Sequence, residues 1–300
     1  MPLQFDSSRY QRLESLTLNT SNPAAVHFLS DAGLALLVEA SAPGVFRLSI
    51  GTPAATGKPA SGSATRAAAQ HDLLARDEAI GEATVEEVEL EGHPGFRLAQ
   101  GDNVLEIATH PVRLALYRKG RKVLASTADE SLFALGTEDP AAPLSWTLSF
   151  DLAPGEAVYG LGESKIMLDR RAERVISDEP ESRALPLAWS PTGWGLYVNT
   201  VESVVHDIGV EDYAPSSYVL TIADAKLDLF LFAGEPAEIL NQYTQLTGRA
   251  GQPTLWSMGT WLHQAANTDV AQLAAVAREM RNRGVPFDAV SLQPPAAWAG

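Results

Sequence analysis

Cysteine is absent from the 300 residues, which removes disulfides, thiolate metal sites and thiol nucleophiles together and leaves the redox compartment open. Long hydrophobic runs are missing as well. The richest, Gly33 to Val38, falls far short of the roughly 18 to 20 apolar residues that cross a bilayer, so the sequence argues against a membrane protein. The first residues mix Asp6, Arg9, Arg12 and Glu14 with polar side chains. They lack the basic flank and apolar centre of a secretory signal, and a cytoplasmic chain is expected. Basic residues are scarce: 22 Lys and Arg stand against 37 Asp and Glu, a net charge of −15. That acidity repels phosphate backbones, so nucleic acid is not an expected partner. The densest basic run, Arg118 to Lys122, reads as a hairpin tip with solvated charges, Gly120 being free to take a positive φ.

What is present is enough apolar composition, 45%, for a sizeable core in one large or two ordinary domains. Before about residue 233, short β-branched and aromatic runs alternate with Gly, Pro, Asn and Asp, an all-β signature. Val45 to Ile50, Val104 to Ala108, Val112 to Arg118, Val123 to Ser126, Trp146 to Leu152, Gly195 to Asn199 and Leu227 to Phe232 are the clearest strands. Gly51 to Gln70 is almost bare of large apolar residues and is expected to be a mobile loop, with a short helix after it at His71 to Ala79.

The pattern changes at Gly234. Pro236 suits a first helical position, and Ile239, Leu240, Tyr243 and Leu246 form one apolar stripe ending at Gly248, which predicts a helix. Gly248 to Pro253 reads as a linker into a strand-like run, Leu255 to Trp261. A second helix follows, capped by Asn267 or Thr268, with Asp269 at its positive end and Val270, Leu273, Ala274, Ala277 and Met280 at helical spacing. Gly284 stops it. Phe287 to Leu292 reads as a buried strand, making residues 255 to 292 a strand–helix–strand unit of the kind that joins parallel strands. Such a pair needs more sheet around it, and only eight residues follow Leu292, so the chain is expected to stop in mid-domain.

Motifs for familiar chemistries are missing too: there is no G-x-S-x-G elbow, no Walker A loop and no H-E-x-x-H pair. Gly160-Leu161-Gly162-Glu163-Ser164-Lys165 begins like a dinucleotide loop, but Lys165 stands where the third glycine belongs, so no nucleotide site is expected. The six histidines, at 27, 71, 93, 110, 206 and 263, show no ligand spacing, and no metal is expected. His263 is set just past the end of a predicted parallel strand, where binding groups collect in α/β folds; an ordinary loop histidine is the plainer reading. Glycoside cleavage needs two carboxylates roughly 5 to 9 Å apart, and among so many acids sequence adjacency selects none. Glu163, on a Gly-rich turn, has an unusual setting. Trp261 and Trp298, at or beyond the ends of the two parallel strands, could each stack on a sugar or seal a barrel rim.

Four blocks carry a family likeness: Tyr159-Gly160-Leu161-Gly162-Glu163, Gly193 to Asn199, Tyr243 to Arg249 and Leu255 to Trp261. In order and spacing they resemble glycoside hydrolase family 31, nearest its bacterial α-xylosidase and α-glucosidase branch. The likeness runs from about 103 to 292; the first hundred residues agree only in being β-rich. The resemblance implies a mainly β chain: a galactose-mutarotase-like β-supersandwich over 1–233, a connecting helix and linker over 234–253, and the start of a (β/α)8 barrel over 254–300. It further implies a retaining α-glycosidase acting on glucosyl or xylosyl residues of oligosaccharides, with a carbohydrate partner, no cofactor, and often a homo-oligomer. Its nucleophile and acid/base aspartates would fall beyond Gly300, so no catalytic residue is assigned. Members place an aspartate after barrel strand 2, where this chain has Gln293, a neutral and weaker acceptor. That substitution keeps open a non-catalytic carbohydrate-binding or scaffolding protein. A mutarotase-type epimerase is a third reading, needing a His and a carboxylate facing each other in a concave sheet. Gln293, Trp298, Trp261, His263 and Glu163 are the expected substrate-binding residues.

Overall fold

The computed structural model describes residues 10–51, 73–75, 83–127, 132–136, 145–163, 167–177, 183–264 and 269–292. The segments expected as a mobile loop and a short helix lie mostly outside them. The chain divides into two compact units, Met1–Gly248 and Arg249–Gly300.

In the first unit, chain order runs through β1 (Tyr10–Arg12), β2 (Leu16–Asn22), β3 (Ala25–Ser30), β4 (Ala35–Ala42) and β5 (Val45–Gly51). Next come β6 (Thr84–Leu90), β7 (His93–Gln100), β8 (Asn103–Thr109), β9 (Val112–Arg118) and β10 (Arg121–Ala125). Then follow β11 (Phe133–Gly136), β12 (Ser145–Asp151), β13 (Tyr159–Gly160), β14 (Glu173–Ile176) and β15 (Leu187–Ser190). The unit closes with β16 (Trp194–Val198), β17 (Val204–Ile208), β18 (Ser217–Ile222), β19 (Leu227–Ala233) and helix α1 (Pro236–Thr247). The strands make three antiparallel sheets: six strands in the order β1-β11-β12-β18-β17-β14, five in the order β10-β9-β8-β7-β6, and eight in the order β13-β15-β16-β19-β5-β4-β3-β2.

One core joins the three sheets. Phe46 and Leu48 come from the eight-stranded sheet, Leu105 and Ile107 from the five-stranded one, and Trp146, Leu148 and Phe150 from the six-stranded one, all in a single cluster. Alternate residues of each strand supply it, as strand periodicity requires. β19 is buried along its whole length. Leu227, Leu229 and Leu231 face the shared core, while Phe230 and Phe232 meet Ile239 and Leu246 of α1. A 12-residue helix is marginal alone; burying such side chains is worth roughly 1.5–3 kcal/mol each and decides the matter. Leu240, expected on the buried stripe, is 45% exposed, because Ile239 and Leu246 with Tyr243 already cover the sheet.

The hairpin at residues 117–122 forms as expected, Lys119 and Gly120 both taking positive φ. Its charges are not simply solvated. Arg118 donates to Glu235 Oε1 at 2.6 Å and Glu238 Oε2 at 3.1 Å, tying the hairpin to the first turn of α1, where acids are favoured. Arg121 donates to the Thr192 carbonyl.

His206 is fully buried, its Nδ1 2.7 Å from the Tyr218 hydroxyl, and burial pushes its pKa down from 6.5 to about 3. Above pH 6.5 both folded and unfolded chains carry it neutral. As pH falls below 6.5, the unfolded chain binds a proton that the folded one refuses, so stability is lost at up to about 1.4 kcal/mol per pH unit. His206→Gln is therefore expected to flatten part of the fall in melting temperature between about pH 7 and about pH 5, followed by circular dichroism.

The second unit begins with a 3-10 turn, Leu255–Met258, and continues through β20 (Trp261–Gln264), α2 (Val270–Asn282) and β21 (Ala289–Leu292). The two strands are parallel, Trp261 opposite Ala289 and His263 opposite Ser291. Asp269 is the N-cap, its Oδ1 accepting from Ala271 N at 3.1 Å. Leu273 is buried and Ala274, Ala277 and Met280 are half-buried on one stripe, but Val270 is 68% exposed. The strand expected over Leu255 to Trp261 is displaced: a helical turn occupies its first half, and pairing begins only at Trp261.

Candidate functional site

The Tyr159–Glu163 turn is built by backbone packing. Gly160, Leu161 and Gly162 take φ of 99°, 61° and 82° in succession, a left-handed run that glycine tolerates and leucine resists. It brings the backbone against its neighbour: a methyl on Gly160 would run into the Leu187 carbonyl oxygen, and one on Gly162 into that of Arg183. Arg170, 4% exposed, gathers the carbonyls that the turn points inward, donating to Gly160 O at 3.1 Å and Gly162 O at 2.9 Å, and donates to Met167 O, beyond the turn, at 2.7 Å. Burial lowers its pKa from the ordinary value. The N–H groups of Leu161 and Glu163 are already bonded to Leu187 O and Arg183 O. Inward carbonyls and occupied N–H groups are the reverse of a phosphate cradle. Glu163 itself is exposed, its carboxylate 3.7 Å from Arg183, as a loop contact to a ligand would require.

The second block, Gly193 to Asn199, is equally architectural. Trp194 Nε1 donates to buried Glu156 Oε1 at 2.7 Å, an oxygen that also accepts from Ser190 and Thr192. A Cβ on Gly195 would stand 2.7 Å from Ile239 Cγ2, so that glycine makes room for α1. Asn199 reaches a buried ion pair: Arg47 donates to Asp228 Oδ1 from Nε and to Oδ2 from Nη2, both at 2.7 Å, while Asn199 Nδ2 donates to Oδ2 at 2.7 Å and Ser49 to Oδ1 at 3.1 Å.

In the second unit, Trp261 and His263 lie two residues apart on one face of β20. Because the strand starts at Trp261, that indole stands at its N-terminal end, not at the C-terminal end where ligands collect. Its Nε1 donates to Ser257 O at 3.0 Å and its ring packs on Trp256, centroids 6.0 Å apart. His263 is within the strand, one residue before its end, with Nδ1 3.4 Å from Ser291 Oγ. Sequence reasoning passed over Asp288, whose Oδ2 accepts from Thr260 N at 3.3 Å and crowds Gly259 so closely that a Cβ there would strike it. The glycine beside Thr260 was the available signal. Gln293 and Trp298 lie outside the described residues, and Glu163 belongs to the other unit. Among the described residues no three His, Asp or Glu side chains are grouped to hold a metal ion, and no helix is long and apolar enough to cross a membrane.

A family model described as the glycosyl hydrolase 31 N-terminal galactose mutarotase-like domain matches residues 35–207, more than half of the chain. The chain belongs to glycosyl hydrolase family 31. Among curated relatives of this family 31 chain, an α-xylosidase of Lactiplantibacillus pentosus is 29% identical over 126 residues, covering 39% of the chain and 16% of the relative. An α-glucosidase of Saccharolobus solfataricus is 28% identical over 119 residues, covering 35% and 17%. A solved Flavobacterium johnsoniae family 31 dextranase, complexed with glucose, superposes with a TM-score of 0.76 at 18% identity, covering 93% of the chain and 34% of its own. A family 31 α-xylosidase from a soil metagenome, complexed with xylose, gives 0.74 at 18% identity, covering 91% and 41%. The family 31 chain thus spans less than half of each of these proteins.

Proposed function

We propose that this chain is the N-terminal part of a retaining α-glycosidase that removes terminal α-linked glucosyl or xylosyl residues from oligosaccharides. In this reading residues 1–233 are the supersandwich, 234–253 the connector, and 254–300 the opening of the catalytic (β/α)8 barrel, with β20, α2 and β21 as its first strand, helix and second strand. The observation that carries it is the parallel register of β20 and β21 joined through α2, in a chain whose preceding residues match the family's N-terminal domain. A complete barrel needs about 250 residues, and retaining hydrolysis needs one carboxylate as nucleophile and another as acid/base about 5 Å away. Both belong to strands after β21. His263 near the end of β20, with Gln293 and Trp298 following β21, contributes sugar contacts; Trp261 has the rim-sealing role that its position favours. Glu163 adds a further contact from its exposed turn.

The test compares two proteins: residues 1–300 alone, and the whole protein that contains them, each supplied with nitrophenyl α-glucoside and α-xyloside. The whole protein is expected to turn over at least one with retained anomeric configuration, and the 300 residues neither. Sugar binding by the whole protein without turnover would instead favour the non-catalytic carbohydrate-binding reading to which Gln293 points.

A further inference from the structure

The five-stranded sheet buries one face in the shared core through Leu98, Leu105, Ile107, Leu114 and Leu116. Its other face carries a furrow. Cross-strand register brings small residues together there: Ala115 stands opposite Ala125, and Ala108 lies one strand away on the same face. Long side chains rise beside this floor. Arg97 on β7 is opposite Glu106 on β8, and Tyr117 on β9 is opposite Lys122 on β10. The concavity between them has a volume of about 630 Å³, within the range of small-molecule sites.

Two features of the furrow bear on its ligand. The first is charge. Arg97, Arg113 and Lys122 meet Glu89, Glu91, Glu106 and Asp151 around it, three cations against four carboxylates, on a chain whose overall charge is −15. Arg97 is held by Glu106 at 2.6 Å and Lys122 lies 3.7 Å from Glu91. A ligand of either sign gains little over such a balanced surface, whereas closely spaced donors and acceptors suit a ligand that offers both from one carbon frame. The second is a guanidinium group. Arg113 is half-buried in the lining; its Nε is closed off and has no hydrogen-bond acceptor among the described residues, so a ligand oxygen would be met by the outer guanidinium nitrogens. Burial and the neighbouring Glu106 push the Tyr117 phenol up to about 12, so its hydroxyl stays protonated, and its ring offers an apolar face.

We infer that this furrow is a binding site for a neutral oligosaccharide, whose hydroxyls pair with Arg113, Glu106 and Lys122 while a sugar ring lies along Tyr117 over the alanine floor. The site lies wholly within the sandwich unit and goes beyond the hydrolase reading, since it needs no catalytic carboxylate. It would hold a polymeric or oligomeric substrate independently of the bond being cut.

The probes are maltotetraose and isomaltotriose, each added to the full chain and followed by saturation-transfer NMR and by amide hydrogen exchange. Binding is expected with protection concentrated in β8, β9 and β10. Ala115→Gln, which fills the floor, and Tyr117→Ala, which removes the ring, are each expected to weaken binding about tenfold. Turnover of a short nitrophenyl glycoside by the whole protein is expected to stay unchanged in both variants, so binding in the furrow and hydrolysis are read apart. Should a variant fail to fold, the exchange map of the unaltered chain decides alone. No binding of either sugar, protection confined to other strands, undiminished binding by both variants, or stronger competition from inorganic phosphate than from either sugar would each overturn the assignment.

Discussion

Asp228→Ala is expected to destabilise the sandwich unit by about 3–5 kcal/mol, the usual result of leaving a buried charge without its partner. Arg47 is 2% exposed and Asp228 4%, on the face of the eight-stranded sheet that α1 also packs against. Asp228 accepts from Arg47, Ser49 and Asn199 together, so truncation strands a guanidinium, a hydroxyl and an amide in one step. Glu39, 3.6 Å from Arg47, offsets part of the charge but not the bidentate geometry. The Arg47 guanidinium also lies 4.9 Å over the Phe230 ring, which fixes it in place and denies it an escape to solvent. Urea unfolding followed by tryptophan fluorescence measures the loss. The double variant Arg47→Met with Asp228→Leu is expected to recover only part of it, because it removes the desolvation cost of that pair but takes the guanidinium away from buried Glu39. Equal losses in single and double variants would mean that packing of these residues matters and their charge does not.

That ion pair also marks where the sequence stopped being legible. Period-2 alternation placed the strands at 45–50, 112–118 and 227–232 within a residue of where they form, because apolar side chains on one face dictate register. The same alternation sends Arg47, Asp228 and Asn199 to the opposite face, which an isolated sheet would give to water. The clue lay in β19 itself: Asp228, Phe230 and Phe232 alternate with Leu227, Leu229 and Leu231, so both faces are apolar and the acid between them must be buried. Helix α1 was read from Pro236 and its stripe, but that it covers this particular face is a tertiary fact. The displaced strand at Leu255 has a similar cause. Leu-Trp-Ser-Met fits a strand by composition, and it coils because Ser257 Oγ and N both bond the Thr254 carbonyl, a local competition invisible to periodicity.

The blocks that betray the family are the ones that recur at junctions of the fold. Gly195 admits Ile239, Trp194 anchors to Glu156, and Tyr243 meets the edge of Tyr197 at 5.3 Å. They identify the architecture because few residue types satisfy such contacts. Each block alone is weak, and it is the four in order that carry the family likeness; none of them supplied a candidate nucleophile or acid/base.

Gly162→Ala tests this view at its most constrained point, and a loss of about 3 kcal/mol or more is expected, the sum of a left-handed φ unfavourable to alanine and a collision with fixed backbone. At φ of 82° the new methyl would meet the Arg183 carbonyl oxygen and lie 2.6 Å from Leu185 N. Neither atom belongs to a side chain that could swing away, and Leu161 N bonded to Leu187 O with Arg170 bonded to Gly160 O and Gly162 O hold the turn from both sides. The turn must therefore open, which releases Arg170 from its carbonyls and shifts Glu163. Glu163→Ala is the companion variant: with an exposed side chain 3.7 Å from its one ion partner among the described residues, it is expected to change stability by less than about 0.5 kcal/mol. If the turn serves substrate binding, both variants raise KM for the whole protein while only Gly162→Ala lowers the unfolding midpoint. If its service is structural alone, Glu163→Ala leaves kcat and KM untouched, and the turn is a clasp between β13 and β15.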